Sequence, residues 1–225
     1  MKQEFEFNAQ MLNYLLNKNT SSKIQFSQIT NWHTSHPYYR LNYYDNIQIS
    51  QVLGIYLAFN KDYFNNFDNI VEIGSYNGGL SSYIFDSKKE NCTFVSYDIA
   101  PEINEANKKR TDIDFRIGDC FEQTQFNEIV ELIQRPGKTL MICDGGHKTK
   151  EFNLFSKYLK SGDIIILHDY KQDDSSWKDM CEYWQWPYGN ETSFEEIKEA
   201  INENGLEEFR NKEFNFFAWG SYIKK

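Results

Sequence analysis

From residue 67 onward, short apolar runs alternate with stretches long enough for helices, and this alternation constrains the fold more than any other feature of the chain. The runs 69–73, 93–97, 114–117, 139–143 and 163–167 read as strands. Residues 79–86, 102–110, 122–134 and 148–159 between them read as helices. Strands separated by helices are joined by crossovers, and crossovers build a parallel sheet. Ile164, Ile165, Ile166 and Leu167 follow one another without a polar residue. A strand apolar on both faces belongs at the centre of a sheet covered by helices on both sides. Past it, residues 194–204 read as a helix stopped by Gly205. Residues 206–210 and 214–222 lie too close together for a helical crossover, so they read as an antiparallel pair at one sheet edge.

Residues 1–66 differ in texture and carry no strong strand signal. Phe5, Met11, Leu12, Leu15 and Leu16 recur at roughly helical spacing until the polar stretch 17–22. A ring-rich segment follows, with Trp32, His33, His36, Tyr38, Tyr39, Tyr43 and Tyr44. Residues 47–64 read as a second amphipathic helix, with Ile47, Val52, Ile55, Tyr56 and Phe59 available for one face. No linker separates this part from the rest, so residues 1–66 are expected to form a cap integral to the domain 67–225. The expected architecture is α/β: a Rossmann-like, doubly wound, mostly parallel sheet with an antiparallel C-terminal β-hairpin and an N-terminal helical cap.

Charge and composition narrow the partners. A net charge of -9 argues against gripping nucleic-acid phosphates or docking on anionic membranes. The apolar stretch 52–59 is far too short to span a bilayer. The opening residues MKQEFEFNAQ place acids where a signal peptide needs basic and then apolar residues. Cys92, Cys120, Cys143 and Cys181 are widely spaced without a Cys-x-x-Cys pair, which excludes a zinc knuckle or thioredoxin-type site. Buried thiols in a reducing cytoplasm are expected. The expected partner is a small molecule, with no nucleic acid and no membrane.

The segment Val71-Glu72-Ile73-Gly74-Ser75-Tyr76-Asn77-Gly78-Gly79 follows a strand and opens a helix. Gly74 lets the backbone turn sharply, and Gly78 and Gly79 leave the helix N-terminus open to a ligand. A plain strand-to-helix turn also uses glycine, and the spacing is not the dinucleotide Gly-x-Gly-x-x-Gly. Glu72 is a poor neighbour for a pyrophosphate and a good one for an ammonium or a zwitterion. The next strand ends in Tyr97-Asp98, where an acid can accept from both ribose hydroxyls. The third runs into Gly118-Asp119-Cys120, where Asp119 or the adjacent backbone can read an adenine edge. All three acids fall at the carboxyl edge of the sheet, where open α/β sheets bind ligands.

Glu-x-Gly-x-x-x-Gly-Gly, then Asp98, then Gly118-Asp119 resembles the pattern of the class I S-adenosylmethionine-dependent methyltransferases, over roughly residues 67–222. The resemblance implies S-adenosylmethionine as cofactor. It places Gly74, Ser75 and Gly78 around its methionine end, Asp98 on the ribose and Asp119 near the adenine, with Glu72 and Tyr76 also expected to bind the cofactor.

Two further motifs carry chemistry: Cys143-Asp144-Gly145-Gly146-His147 after the fourth strand and His168-Asp169-Tyr170 after the fifth. Asp144 and Asp169 supply hard oxygens suited to magnesium, manganese or calcium. His147 can act as a general base near neutral pH. Asp144 can equally cap the helix that follows, and His168 can be a satisfied polar residue at a strand end. Together the motifs resemble the metal-dependent O-methyltransferases of the macrocin, mycinamicin and cephalosporin hydroxylase-like group. That resemblance implies Asp144, His168 and Asp169 as metal ligands, Asp144 and His147 as catalytic residues, and a sugar or phenol hydroxyl as acceptor. His168 stands where those relatives often carry Glu. No Asn-Pro-Pro-Tyr or Asp-Pro-Pro-Tyr follows the fourth strand, which argues against methylation of an exocyclic amine. The rings at 32–44, and Trp177, Tyr183, Trp184, Trp186 and Tyr188, suit an acceptor pocket, the cap's own core or the interface of a homo-oligomer. Asp173 and Asp174 read as a solvated loop.

Overall fold

The computed structural model describes residues 63–76, 78–99, 108, 110–173, 175, 178, 191–215 and 218–225, and the backbone alone of strands 24–30, 37–43 and 47–49. Within 211–215, the side chains of residues 212 and 213 lie outside that description.

The main sheet has seven strands: β4 (Asn69–Ile73), β5 (Thr93–Asp98), β6 (Asp114–Ile117), β7 (Thr139–Cys143), β8 (Ile164–His168), β11 (Leu206–Glu208) and β12 (Trp219–Lys224), in the order β11-β12-β8-β7-β4-β5-β6. β4 pairs in parallel with β5 and β7, β5 with β6, and β7 with β8. β12 runs antiparallel to both β8 and β11. The strand order reverses between β4 and β7, so the carboxyl ends of β4, β5 and β7 border the crevice where such sheets take ligands.

Helices cover both faces. They are α1 (Gly79–Ser87), α2 (Gln123–Gln134), α3 (Lys148–Phe155), α4 (Phe194–Glu203) and the short α5 (Asn211–Asn215). Alternate strand residues divide between two cores. Ile70, Leu140, Ile142, Ile164 and Ile166 pack with Leu80 and Ile84 of α1 and with Phe214. Val71, Ile73, Met141, Cys143, Ile165 and Leu167 pack with Ile129 and Leu132 of α2, Phe152 and Phe155 of α3, and Ile197 of α4. The apolar run at 164–167 thus feeds both cores, as an apolar central strand must. Burying one such side chain contributes roughly 1.5–3 kcal/mol.

Three elements end where the chain's chemistry dictates. α4 starts at Ser193, whose backbone N–H donates 2.8 Å to Glu196 Oε2, and Gly205 follows it at φ 58. The helix expected over 148–159 finishes as a 3-10 turn at Ser156–Tyr158. The strand expected at 93–97 runs one residue further and takes in Asp98. Cys92, Cys120 and Cys143 are free and buried, and burial pushes the first two thiols up to about 11 and about 12. Cys181 lies outside the described residues.

Two expectations fail. The C-terminal antiparallel pair exists, but its second strand begins at Trp219 and not at residue 214. Arg210 turns the backbone to φ 56, and the Phe214 N–H donates to the Arg210 carbonyl at 3.1 Å. That closes α5, and Phe214 becomes a fully buried core ring. The N-terminal part is not wholly helical either. β1 (Ile24–Thr30), β2 (Pro37–Tyr43) and β3 (Ile47–Ile49) form an antiparallel meander, so the helix expected from residue 47 gives way to a strand there. Register explains it: Phe26 pairs with Leu41, and Leu41 with Ile49, while Ile24 pairs with Tyr43, and Tyr43 with Ile47. These rows are apolar only when the strands pair, a gain that a single-segment helical reading does not weigh. Residues 1–23 and 50–62, the expected helix 102–110 apart from 108 and 110, and most of the Trp177–Tyr188 cluster lie outside the described residues. Among the described residues, no helix is long and apolar enough to cross a membrane.

Candidate active site

The turn after β4 is built on backbone angles that few residues tolerate. Gly74 has φ 93, Tyr76 φ 47 and Gly78 φ 77. Gly74 N–H donates 2.8 Å to the Tyr97 carbonyl, which ties the turn to β5. A Cβ on Gly74 would stand 2.1 Å from the Asp144 carbonyl oxygen. The glycine is therefore demanded by the close passage of β4 and β7 backbones, before any ligand is considered. Gly74→Ala is expected to cost roughly 2–5 kcal/mol from overpacking and an unfavourable φ together, read as a lowered urea midpoint. A wild-type midpoint would contradict the packing.

Glu72 lies beneath this turn, 1 % exposed. Its Oε2 accepts hydroxyls from Ser81, at 2.5 Å, and from Ser96. Its Oε1 is buried with no hydrogen-bond partner among the described residues. Burial pushes this carboxyl up to about 7, against the two serine hydrogen bonds and helped by nearby Asp144 and Asp98. Ser75 turns inward, bonding the Ser96 hydroxyl and the Tyr97 carbonyl at 3.2 Å. Tyr76 exposes its ring, and its backbone N–H donates 2.6 Å to Asp98 Oδ2. Gly78 caps α1 in the left-handed region without any side-chain cap. Glu72, Gly74, Tyr76, Gly78 and Asp98 thus come together at the carboxyl ends of β4 and β5. Asp119, half-buried after β6, accepts the Phe121 N–H at 2.9 Å and shapes its own turn. An unpartnered buried carboxylate oxygen under an open glycine turn, beside a half-buried acid at the next strand end, fits a ligand with a cationic end and a ribose diol.

At the ends of β7 and β8, Asp144 and His168 meet. His168 Nδ1 lies 2.8 Å from Asp144 Oδ1, and its Nε2 lies 3.6 Å from Asp169 Oδ1. The ring stacks on Trp219, its β12 register partner, with centroids 4.6 Å apart. Asp169 has φ 51, a left-handed conformation seldom found outside glycine, asparagine and aspartate. Its Oδ2 lies 3.0 Å from the nearly buried Nζ of Lys148. Burial works to lower the pKa of His168, but Asp144 and Asp169 outweigh it and the value ends raised. Burial likewise opposes the charge on Lys148, and Asp169 and Asp144 reverse that. Asp169, which burial would raise, is held below its ordinary value by His168 and Lys148.

Asp144 does not cap α3. Glu151 does, reaching back from inside the helix to accept N–H groups of Gly145 and His147, both at 3.1 Å. Burial pushes Glu151 up to about 7 despite these bonds. His147, the residue before α3, is exposed, with its ring 6.3 Å from that of Phe121. Lys148, Glu151 and Trp219 belong to this centre without standing in any of the sequence motifs. One signal was present: a lysine at the first position of a helix opposes the helix dipole and calls for an anionic partner.

The donor set does not fit a divalent cation. An imidazole's two nitrogens face away from each other. Asp144 sits at one and Asp169 near the other, so the ring stands between the two carboxylates that a metal would bridge. Lys148 already engages Asp169. Among the described residues, no group of three His, Cys, Asp or Glu side chains gathers as a metal would require.

No family model matches the chain, and no curated protein matches it by sequence. Solved structures do match by fold. An apo structure of CmcI-N160 aligns with TM-score 0.56 and 17% identity, covering 80% of this chain and 74% of that one. CmcI-D160 with Mg and S-adenosylmethionine aligns with TM-score 0.53 and 17% identity, covering 80% and 75%. NcsB1, an O-methyltransferase of neocarzinostatin biosynthesis solved with S-adenosylmethionine and 2-hydroxy-5-methyl naphthoic acid, gives TM-score 0.51 and 13% identity. That alignment covers 77% of this chain and 55% of NcsB1. With its seven-stranded sheet, reversed last strand and glycine turn after β4, the chain has the class I S-adenosylmethionine-dependent methyltransferase fold.

Proposed function

We propose that this protein transfers a methyl group from S-adenosylmethionine to a hydroxyl of a small molecule. The observation that carries the reading is the open glycine turn over the unpartnered buried Glu72 oxygen, with Asp98 at the adjoining strand end. When bound, the cofactor supplies a methyl group on an electrophilic sulfonium. Asp98 would hold the ribose, Asp119 and its turn would border the adenine, and Gly74, Tyr76 and Gly78 would line the methionine end. Ser75 supports the turn from below.

Two imidazoles stand near the acceptor side. His168 is pinned by Asp144 and stacked on Trp219, whereas His147 is exposed and free to meet a substrate. We assign His147 as the general base. Asp144 orients His168. No step of this reading runs through a metal.

The acceptor side is bordered by the segment that follows Asp169. Its two ends are held together by the parallel pair β9 (Tyr170–Lys171) and β10 (Thr192–Ser193), and Thr192 N–H donates 2.8 Å to the Asp169 carbonyl. The small-molecule class is supported by the net charge of -9, and the phenol-like option by the hydroxylated arene bound to NcsB1. We read residues 1–66 as part of the same unit, since β2 and β3 lie against α1.

Thermal shift with S-adenosylmethionine tests the binding half. At a hundredfold excess over Kd, the ligand stabilises the protein by about 2.7 kcal/mol. No shift at saturating ligand would remove the reading. With an accepted substrate in hand, His147→Ala is expected to lower turnover ~10²–10⁴-fold with cofactor affinity unchanged. Undiminished turnover would reassign the base.

A further inference from the structure

Lys148 carries two costs that the fold does not otherwise explain. It is the first residue of α3, where a positive charge opposes the helix dipole. Its side chain is also only 8% exposed. One contact answers both: Nζ lies 3.0 Å from Asp169 Oδ2. Asp169 in turn holds a left-handed backbone at φ 51, which aims its carboxylate between Lys148 and the His168 ring. The centre therefore contains two carboxylates, an ammonium and an imidazole wedged between the acids. A divalent cation bridging Asp144 and Asp169 would have to expel the ring and would meet the ammonium at close range. Magnesium and manganese favour several hard oxygen donors, and here one of the two carboxylates is already committed.

We infer that the Lys148 ammonium is the resident cation of this centre, standing in for the divalent metal that the resemblance implies. A lysine is a compact point charge, and burial beside Asp169 fixes its direction. It acts as a positioning residue: it holds Asp169, and His168 holds Asp144, so the ends of β7 and β8 keep their shape with no exchangeable ion. The inference rests on the methyl-transfer reading for its catalytic meaning, but it concerns metal binding and is tested without turnover.

The probe is Mn²⁺ added to the full chain, followed by the electron paramagnetic resonance signal of the free aqueous ion. Wild-type protein in excess should leave that signal unchanged. The double variant Lys148→Ser/His168→Asp removes the ammonium and the wedge and adds a carboxylate. It should gain on the order of tenfold or more in Mn²⁺ affinity, seen as loss of the free-ion signal. Wild-type binding of Mn²⁺ that Asp169→Asn abolishes would overturn the inference. So would a folded double variant, with wild-type circular dichroism, that still ignores Mn²⁺. If the double variant does not fold, the wild-type and Asp169→Asn measurements decide alone. A chain that shows no shift with S-adenosylmethionine yet excludes Mn²⁺ overturns the functional reading and leaves the Lys148 assignment standing.

Discussion

Asp98→Ala is expected to weaken S-adenosylmethionine binding by roughly 10- to 150-fold, the factor corresponding to 1.5–3 kcal/mol for hydrogen bonds to a charged acceptor. Two effects add. The ribose loses its carboxylate acceptor, and the Tyr76 N–H loses its 2.6 Å partner, so the glycine turn loses one of its ties to β5. Asp98→Asn separates them, because an amide oxygen can still receive the Tyr76 N–H while the negative charge is gone. Calorimetric titration should rank wild type above Asn and Asn above Ala. Asp98 is half-buried at a strand end and outside both cores, so the unfolding midpoint should fall only by the loss of its local hydrogen bonds, more in Ala than in Asn. Equal affinity in all three would remove Asp98 from the cofactor site.

The ligand-free protein is expected to lose stability as pH rises from about 4.5 through about 7. Glu72 and Glu151 both rise from the ordinary 4.5 to about 7, chiefly through burial. Below 4.5 each is protonated in the folded and unfolded chains alike. Between the two values the unfolded chain releases protons that the folded chain keeps, so unfolding is favoured progressively. Each group shifts the balance by on the order of 3 kcal/mol across that window. His168 works in the same direction, because its pKa is raised: its stabilisation is complete below 6.5 and is lost as pH rises through the folded value. Asp68, Asp112 and Asp169 are lowered, so their contributions are lost only in acid below 3.8 and leave this window untouched. Urea midpoints should therefore be higher at pH 5.5 than at pH 8, and Glu72→Gln should flatten the profile. A midpoint that climbs with pH over this range would contradict the burial of both carboxyls.

The order of elements from residue 67 onward was readable from the chain because the relevant signals are local. An apolar run bounded by polar residues defines a strand whether or not its neighbours are known, and the bounds of β4, β6 and β7 agree with the run boundaries. The acids at the strand ends were readable for the same reason. Once strands are parallel, Asp98, Asp119, Asp144 and Asp169 must share one edge. The meander β1–β3 was not readable, since its apolar rows exist only in the paired register. Phe214 was misplaced because a five-residue helix carries too few turns to show a period.

What the acids do at that edge was decided by tertiary structure. From sequence, Asp144 was equally a helix cap or a ligand, and Lys148 was only the start of a helix. Folding brings Glu151 back to take the capping role, sets His168 between two carboxylates and delivers Lys148 to Asp169. Gly74 reads from the sequence as a sharp turn off the strand, and it also proves to be room for the Asp144 backbone. The physical reason is one of range. Hydrophobic periodicity states which face of an element is buried, residue by residue along the chain. The partner of a buried charge depends on distances of about 3 Å between elements far apart in sequence, at which scale Coulombic and hydrogen-bond energies change steeply.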